Sequence, residues 1–110
     1  IITTDHGTVR VNNPIKVKGE RSTNTNLRYK VGRNLGYDGE DVFELRDPEA
    51  AGLPRPQVSS AYIFAREDDF LVYPNNYNHF TNYYKDTFQH GGISLEEMII
   101  PFVQLKPKKI

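Results

Sequence analysis

The sequence predicts an α/β fold, and three stretches carry that expectation. Residues 1–4 (IITT) are short, apolar and β-branched, with Gly7 close behind. A continuous run of this kind suits a strand buried on both faces, as in a parallel sheet. Residues 60–65 (SAYIFA) and 70–73 (FLVY) flank the charged residues 66–69 (REDD). Two apolar, aromatic runs around a short polar turn read as a β-hairpin. Residues 94–97 (SLEE) have the form of a capping box. The Ser94 hydroxyl can accept from the Glu97 N–H while the Glu97 carboxylate reaches back to the Ser94 N–H, which starts a helix.

The other elements follow in chain order. Residues 8–11 (TVRV) alternate and predict a second short strand, and residues 12–14 predict a turn. Residues 16–30 are polar and basic without a sustained period, and so predict a loop; residues 27–31 predict a short strand at its end. Residues 34–39 (NLGYDG) are a turn-rich connection, and residues 41–46 (DVFELR) fit helix or strand equally. Pro48–Ala51 suits one helical turn, with Asp47 as cap and Gly52 as stop. Residues 75–86, rich in Asn and Tyr, fit a short helix or an ordered loop. Residues 98–105 (MIIPFVQL) predict a strand after one helical turn, with Pro101 placing it at a sheet edge or bulge. Residues 106–109 (KPKK) are a solvated tail.

At 110 residues the chain is one domain at most. The formal net charge is zero, so no overall field favours nucleic acid or an anionic membrane. There is no Cys, which excludes disulfides and thiolate metal sites and agrees with a cytoplasmic setting. No apolar run approaches the roughly 20 residues of a membrane span, and no signal-peptide pattern opens the chain. The sequence starts inside an apolar run without Met, which reads as the C-terminal piece of a longer protein.

Two short motifs can carry chemistry. In Asp5-His6-Gly7, Asp offers a hard charged oxygen and His a neutral nitrogen, a pair suited to zinc or a similar divalent ion. Neighbouring side chains on a regular strand point to opposite faces. Both can therefore face one ion only where the strand has ended, and Gly7 permits the backbone to turn there. In open α/β sheets, sites lie beyond the carboxyl ends of strands. The competing reading is a loop-capping Asp5 beside a hydrogen-bonded His6. His90-Gly91-Gly92 similarly fits either a ligand on a close-approach backbone or a plain turn. Arg21, Arg28, Lys30 and Arg33 form a basic segment with Asn24 and Asn26; Arg28 and Lys30 are candidates for binding a substrate phosphate, against the alternative of scattered solvated charge. Tyr29, Tyr73, Tyr77, Tyr83 and Tyr84 suit packing better than base stacking, and His79 reads as a surface residue.

Taken together, TTDHGTVRV, TNLRYKVGRNL, RDPEAAGLP, YPNNYNHFTNYYKDTFQHGG and SLEEMIIPF resemble the C-terminal part of a PglZ domain of the alkaline phosphatase superfamily. Within it they are most similar to the effector domain of PorX-type response regulators of type IX secretion. The resemblance implies the C-terminal portion of an alkaline-phosphatase-like sheet-and-helix sandwich, here with the β-hairpin as an insertion. It implies two divalent ions, expected to be zinc, with Asp5 and His6 on one and His90 on the other. It implies hydrolysis of phosphate esters, such as nucleotides or oligonucleotides, by a two-metal centre. The Thr or Ser nucleophile and the remaining ligands have no match in these residues, so the isolated chain is expected to be inactive. The alternative function is a non-catalytic regulatory module acting by dimerisation. Partners implied are an upstream receiver domain, a sensor kinase and a second copy of the protein.

Overall fold

The computed structural model describes residues 1–20 and 23–109. Its best-buried strand is not the one at the start of the chain. Strand β1 (Ile2–Thr3) and strand β9 (Phe102–Val103) pair antiparallel, and the side chains of Ile1, Ile2, Phe102 and Val103 are all exposed. The expectation of a β1 buried on both faces is therefore wrong: β9 is its one partner and nothing in the described residues covers either face. Pro101 lies just outside β9, where its carbonyl accepts from the Thr3 hydroxyl at 2.7 Å.

The strand covered on both sides is β7 (Asp69–Val72), which runs parallel to β3 (Asn13–Lys16). Alternation along β7 serves two cores. Phe70 and Val72 join Val9, Val11 and Leu27, with Tyr77 and Tyr84 packed on them. Leu71 joins Val17, Val42, Ile63 and Ala65. Pro14 lies within β3, in place of the expected turn at residues 12–14, which is tolerated because β3 is an edge strand.

Residues 60–73 do not form a hairpin. Strand β6 (Ala61–Ala65) is the centre of an antiparallel sheet between β4 (Tyr29–Gly32) and β5 (Val42–Leu45). A turn after β6 closes with the Asp69 N–H donating to the Arg66 carbonyl at 2.8 Å. The chain segment at Leu27 and Arg28 then lies between the two strands. The Ala65 N–H donates to the Arg28 carbonyl at 2.8 Å, and the Leu71 N–H to the Leu27 carbonyl at 2.7 Å. The apolar runs predict the strands, but a two-residue wedge from elsewhere takes the hydrogen bonds that a hairpin would use.

Pro48–Ala51 is a 3-10 turn ended by Gly52 in the left-handed region (φ 74°). Asp47 does not cap it; its carboxylate pairs with Arg55 at 3.0 Å. Helix α1 spans Tyr77–Tyr84 and helix α2 Leu95–Met98. Among the described residues no helix is long and apolar enough to cross a membrane. The architecture is α/β, with small sheets and few, short helices.

Candidate metal centre

Two strand ends build the site. Strand β2 (Val9–Arg10) starts just after Asp5-His6-Gly7, and β8 (Phe88–Gln89) ends just before His90. They pair antiparallel with Val9 opposite Gln89. The start of one is therefore beside the end of the other, and the two motifs meet. The imidazoles of His6 and His90 stack with ring centroids 3.6 Å apart and planes 12° from parallel.

Asp5 and His6 lie past the end of β1, so alternation no longer separates their side chains. The Asp5 Oδ1 and His6 Nε2 atoms are 3.5 Å apart. His6 Nδ1 lies 2.7 Å from the Gly7 carbonyl oxygen. A carbonyl cannot donate, so this contact assigns the hydrogen to Nδ1. In the neutral ring Nε2 is then a bare lone pair beside a carboxylate. Two electron-rich acceptors side by side suit a cation between them, and an imidazole anchored through Nδ1 to a carbonyl is the form in which histidine ligates metals. The donor set of Asp5, His6 and His90 thus fits divalent ions. Among the described residues no three His, Asp or Glu side chains are grouped to hold one ion; the arrangement is two donors plus one.

Gly7 is required for space rather than for a left-handed φ. A Cβ there would overlap the Glu96 carbonyl oxygen, and the Gly7 N–H donates to the Glu97 carbonyl at 2.8 Å. Gly92 abuts the same residue from the other motif: a Cβ on it would overlap the Glu97 carboxylate. Gly91 adopts φ 109°, a conformation glycine enters readily.

At the junction lies a buried ion pair. The Arg28 Nε donates to Glu97 Oε1, and Arg28 Nη1 donates to the Asp69 carbonyl. The two side chains are 0% and 2% exposed. Next to it, the Asn26 side chain receives the Arg28 and Tyr29 N–H groups at 2.7 and 3.2 Å and donates to the His90 carbonyl at 3.2 Å. Asn26, Arg28 and Glu97 therefore hold Asp5-His6-Gly7 and His90-Gly91-Gly92 against each other.

The sequence does not mark these residues as supports. Glu97 is accounted for there by the capping box, whose outline is present. Its carboxylate half closes as a hydrogen bond from the Ser94 N–H at 3.2 Å, and among the described residues Ser94 Oγ is buried without a hydrogen-bond partner. Arg28 and Lys30, the candidates for binding phosphate, are both interior. Arg28 is committed to Glu97, and Lys30 faces the core opposite Ile63. Neither offers its charge to the surface beside His6 and His90. Arg33 pairs with Glu20 at 3.5 Å, and Arg21 lies outside the described residues. His79 is exposed on α1 against Phe80.

Compared with protein families, residues 1–105 match the one described as the BREX system PglZ alkaline phosphatase-like domain. No curated protein matches the chain.

Proposed function

Since the chain belongs to the PglZ family of alkaline phosphatase-like domains, we propose that it forms one side of a metal-dependent phosphohydrolase centre. Asp5 and His6 hold one divalent ion and His90 a second, with zinc the expected metal. The observation that carries this reading is the stacking of two imidazoles from opposite ends of the chain beside an exposed carboxylate. Bound ions would supply Lewis-acid polarisation of a phosphoryl oxygen. The chain's own residues do the positioning. The Gly7 carbonyl fixes the His6 ring so that Nε2 faces Asp5. Asn26 fixes the backbone at His90. Three donors are fewer than a two-ion centre needs, and we assign the others, with the nucleophile, to sequence beyond these residues. In the specific form of this reading, the sheets are part of an alkaline-phosphatase-like sandwich in a PorX-type response-regulator effector. That assignment rests on the resemblance of the run that becomes α1 and β8 and leads into His90.

The test is hydrolysis of bis(p-nitrophenyl) phosphate by the intact protein that carries this chain. Turnover should stop with a chelator and return with Zn²⁺, and His90→Ala should lower it by about 100-fold or more, since even residues supporting a ligand are worth roughly 10–100-fold. Chelator-resistant hydrolysis, or an undiminished His90→Ala protein, contradicts the reading.

A further inference from the structure

A cavity of about 240 Å³ opens between β7, α1 and the segment leading into β4. Its walls are Leu27, Leu71, Val72, Phe80 and Tyr84, and among the described residues its one charged lining residue is Lys30. No lining residue is shared with Asp5, His6 or His90. The pleat explains how a lysine comes to be there. Lys30 is opposite Ile63 in the β4–β6 register, so its side chain points to the core face of the sheet. It is 1% exposed.

The ammonium is poorly compensated. Its hydrogen bond to the Asn24 carbonyl is long, at 3.4 Å, and that oxygen already accepts from the Tyr73 hydroxyl at 2.7 Å. The Nζ atom sits over the Tyr73 ring at 4.3 Å. Among the described residues no carboxylate pairs with it. Burial lowers its pKa to about 8, so at neutral pH it still carries its charge. A cation–π contact offsets only part of the cost of enclosing a charge without a counter-ion. A ligand that brought a negative charge to Nζ would relieve that cost.

The geometry points to a binding site for a small organic monocarboxylate whose apolar body is one ring or a branched chain. The body would lie between Phe80, Tyr84 and Leu27, and the carboxylate would meet Lys30. Size agrees, because a dry cavity of roughly 150 Å³ already admits benzene. Charge agrees as well. Among the described residues no guanidinium fork stands beside the ammonium, and one ammonium matches a single negative charge and would leave a phosphate dianion half unpaired. Thr25 and Asn75 are the polar residues of the described lining besides Lys30 and the two tyrosines, Tyr73 and Tyr84, and both are exposed.

The probe is 4-fluorobenzoate, titrated by ¹⁹F NMR into the intact protein that carries this chain, with 4-fluorobenzamide as its uncharged counterpart. Saturable binding of the carboxylate is expected, with the amide weaker by roughly tenfold, the value of one charge-assisted hydrogen bond. Phe80→Trp, which narrows the mouth, should weaken both probes. Lys30→Met, checked for folding by circular dichroism, should bind the two probes alike. No saturable binding, or equal binding of carboxylate and amide by the unmodified chain, overturns the proposal even if Lys30→Met does not fold.

Discussion

Glu97→Ala should destabilise the chain by about 3–5 kcal/mol, the usual cost of removing one partner from a buried ion pair. The Arg28 guanidinium would remain enclosed with the Asp69 carbonyl as its main partner, and among the described residues its Nη2 already has no hydrogen-bond partner. Domains are stable by only about 5–15 kcal/mol, so the urea midpoint should fall far. The double replacement Arg28→Met with Glu97→Leu should recover much of the loss, since hydrophobic residues of similar volume often substitute for a buried pair without penalty. A Glu97→Ala protein as stable as the parent would show that the pair supports nothing.

Gly7→Ala should have the second largest effect, at about 1–3 kcal/mol, as for forced overpacking. Its new methyl group would meet the main-chain carbonyl of Glu96, not the yielding end of a side chain. Relief requires the segment at Gly7 to separate from α2, which stretches the hydrogen bond from Gly7 N–H to the Glu97 carbonyl and draws His6 away from His90. Gly39→Ala is the control: a Cβ there meets nothing within 4 Å, and removing a glycine at a compatible site stabilises by roughly 0.4–1 kcal/mol. The ring-to-ring NOE between His6 and His90 should vanish in Gly7→Ala and persist in Gly39→Ala. Equal stability of the two variants would refute the steric account.

Much of the candidate site is legible in the sequence. Asp5, His6 and His90 are singled out by residue chemistry and by their glycines, and the pairing of β2 with β8 brings them together. What holds them there is hidden for a physical reason. An ion pair between residues as distant as Arg28 and Glu97 leaves no local periodicity, and the capping box already gives Glu97 a use. Lys30 shows the same limit: its burial follows from the register of β4 on β6, which composition does not set. The strands are visible as apolar runs, but their partners are not. SAYIFA and FLVY satisfy a hairpin pattern, yet Leu27 and Arg28 occupy the position between them. IITT has the composition of a buried strand and lies exposed, because burial depends on neighbours that a single run cannot report.

Asp5, His6 and His90 are the proposed ligands of the divalent ions. Metal content of the intact protein, measured by inductively coupled plasma mass spectrometry after dialysis, tests this most directly. The unmodified protein should retain metal, His90→Ala should lose part of it, and Asp5→Ala combined with His6→Ala should lose a different part. Full retention by both variants, each confirmed folded, would contradict the assignment of these three residues.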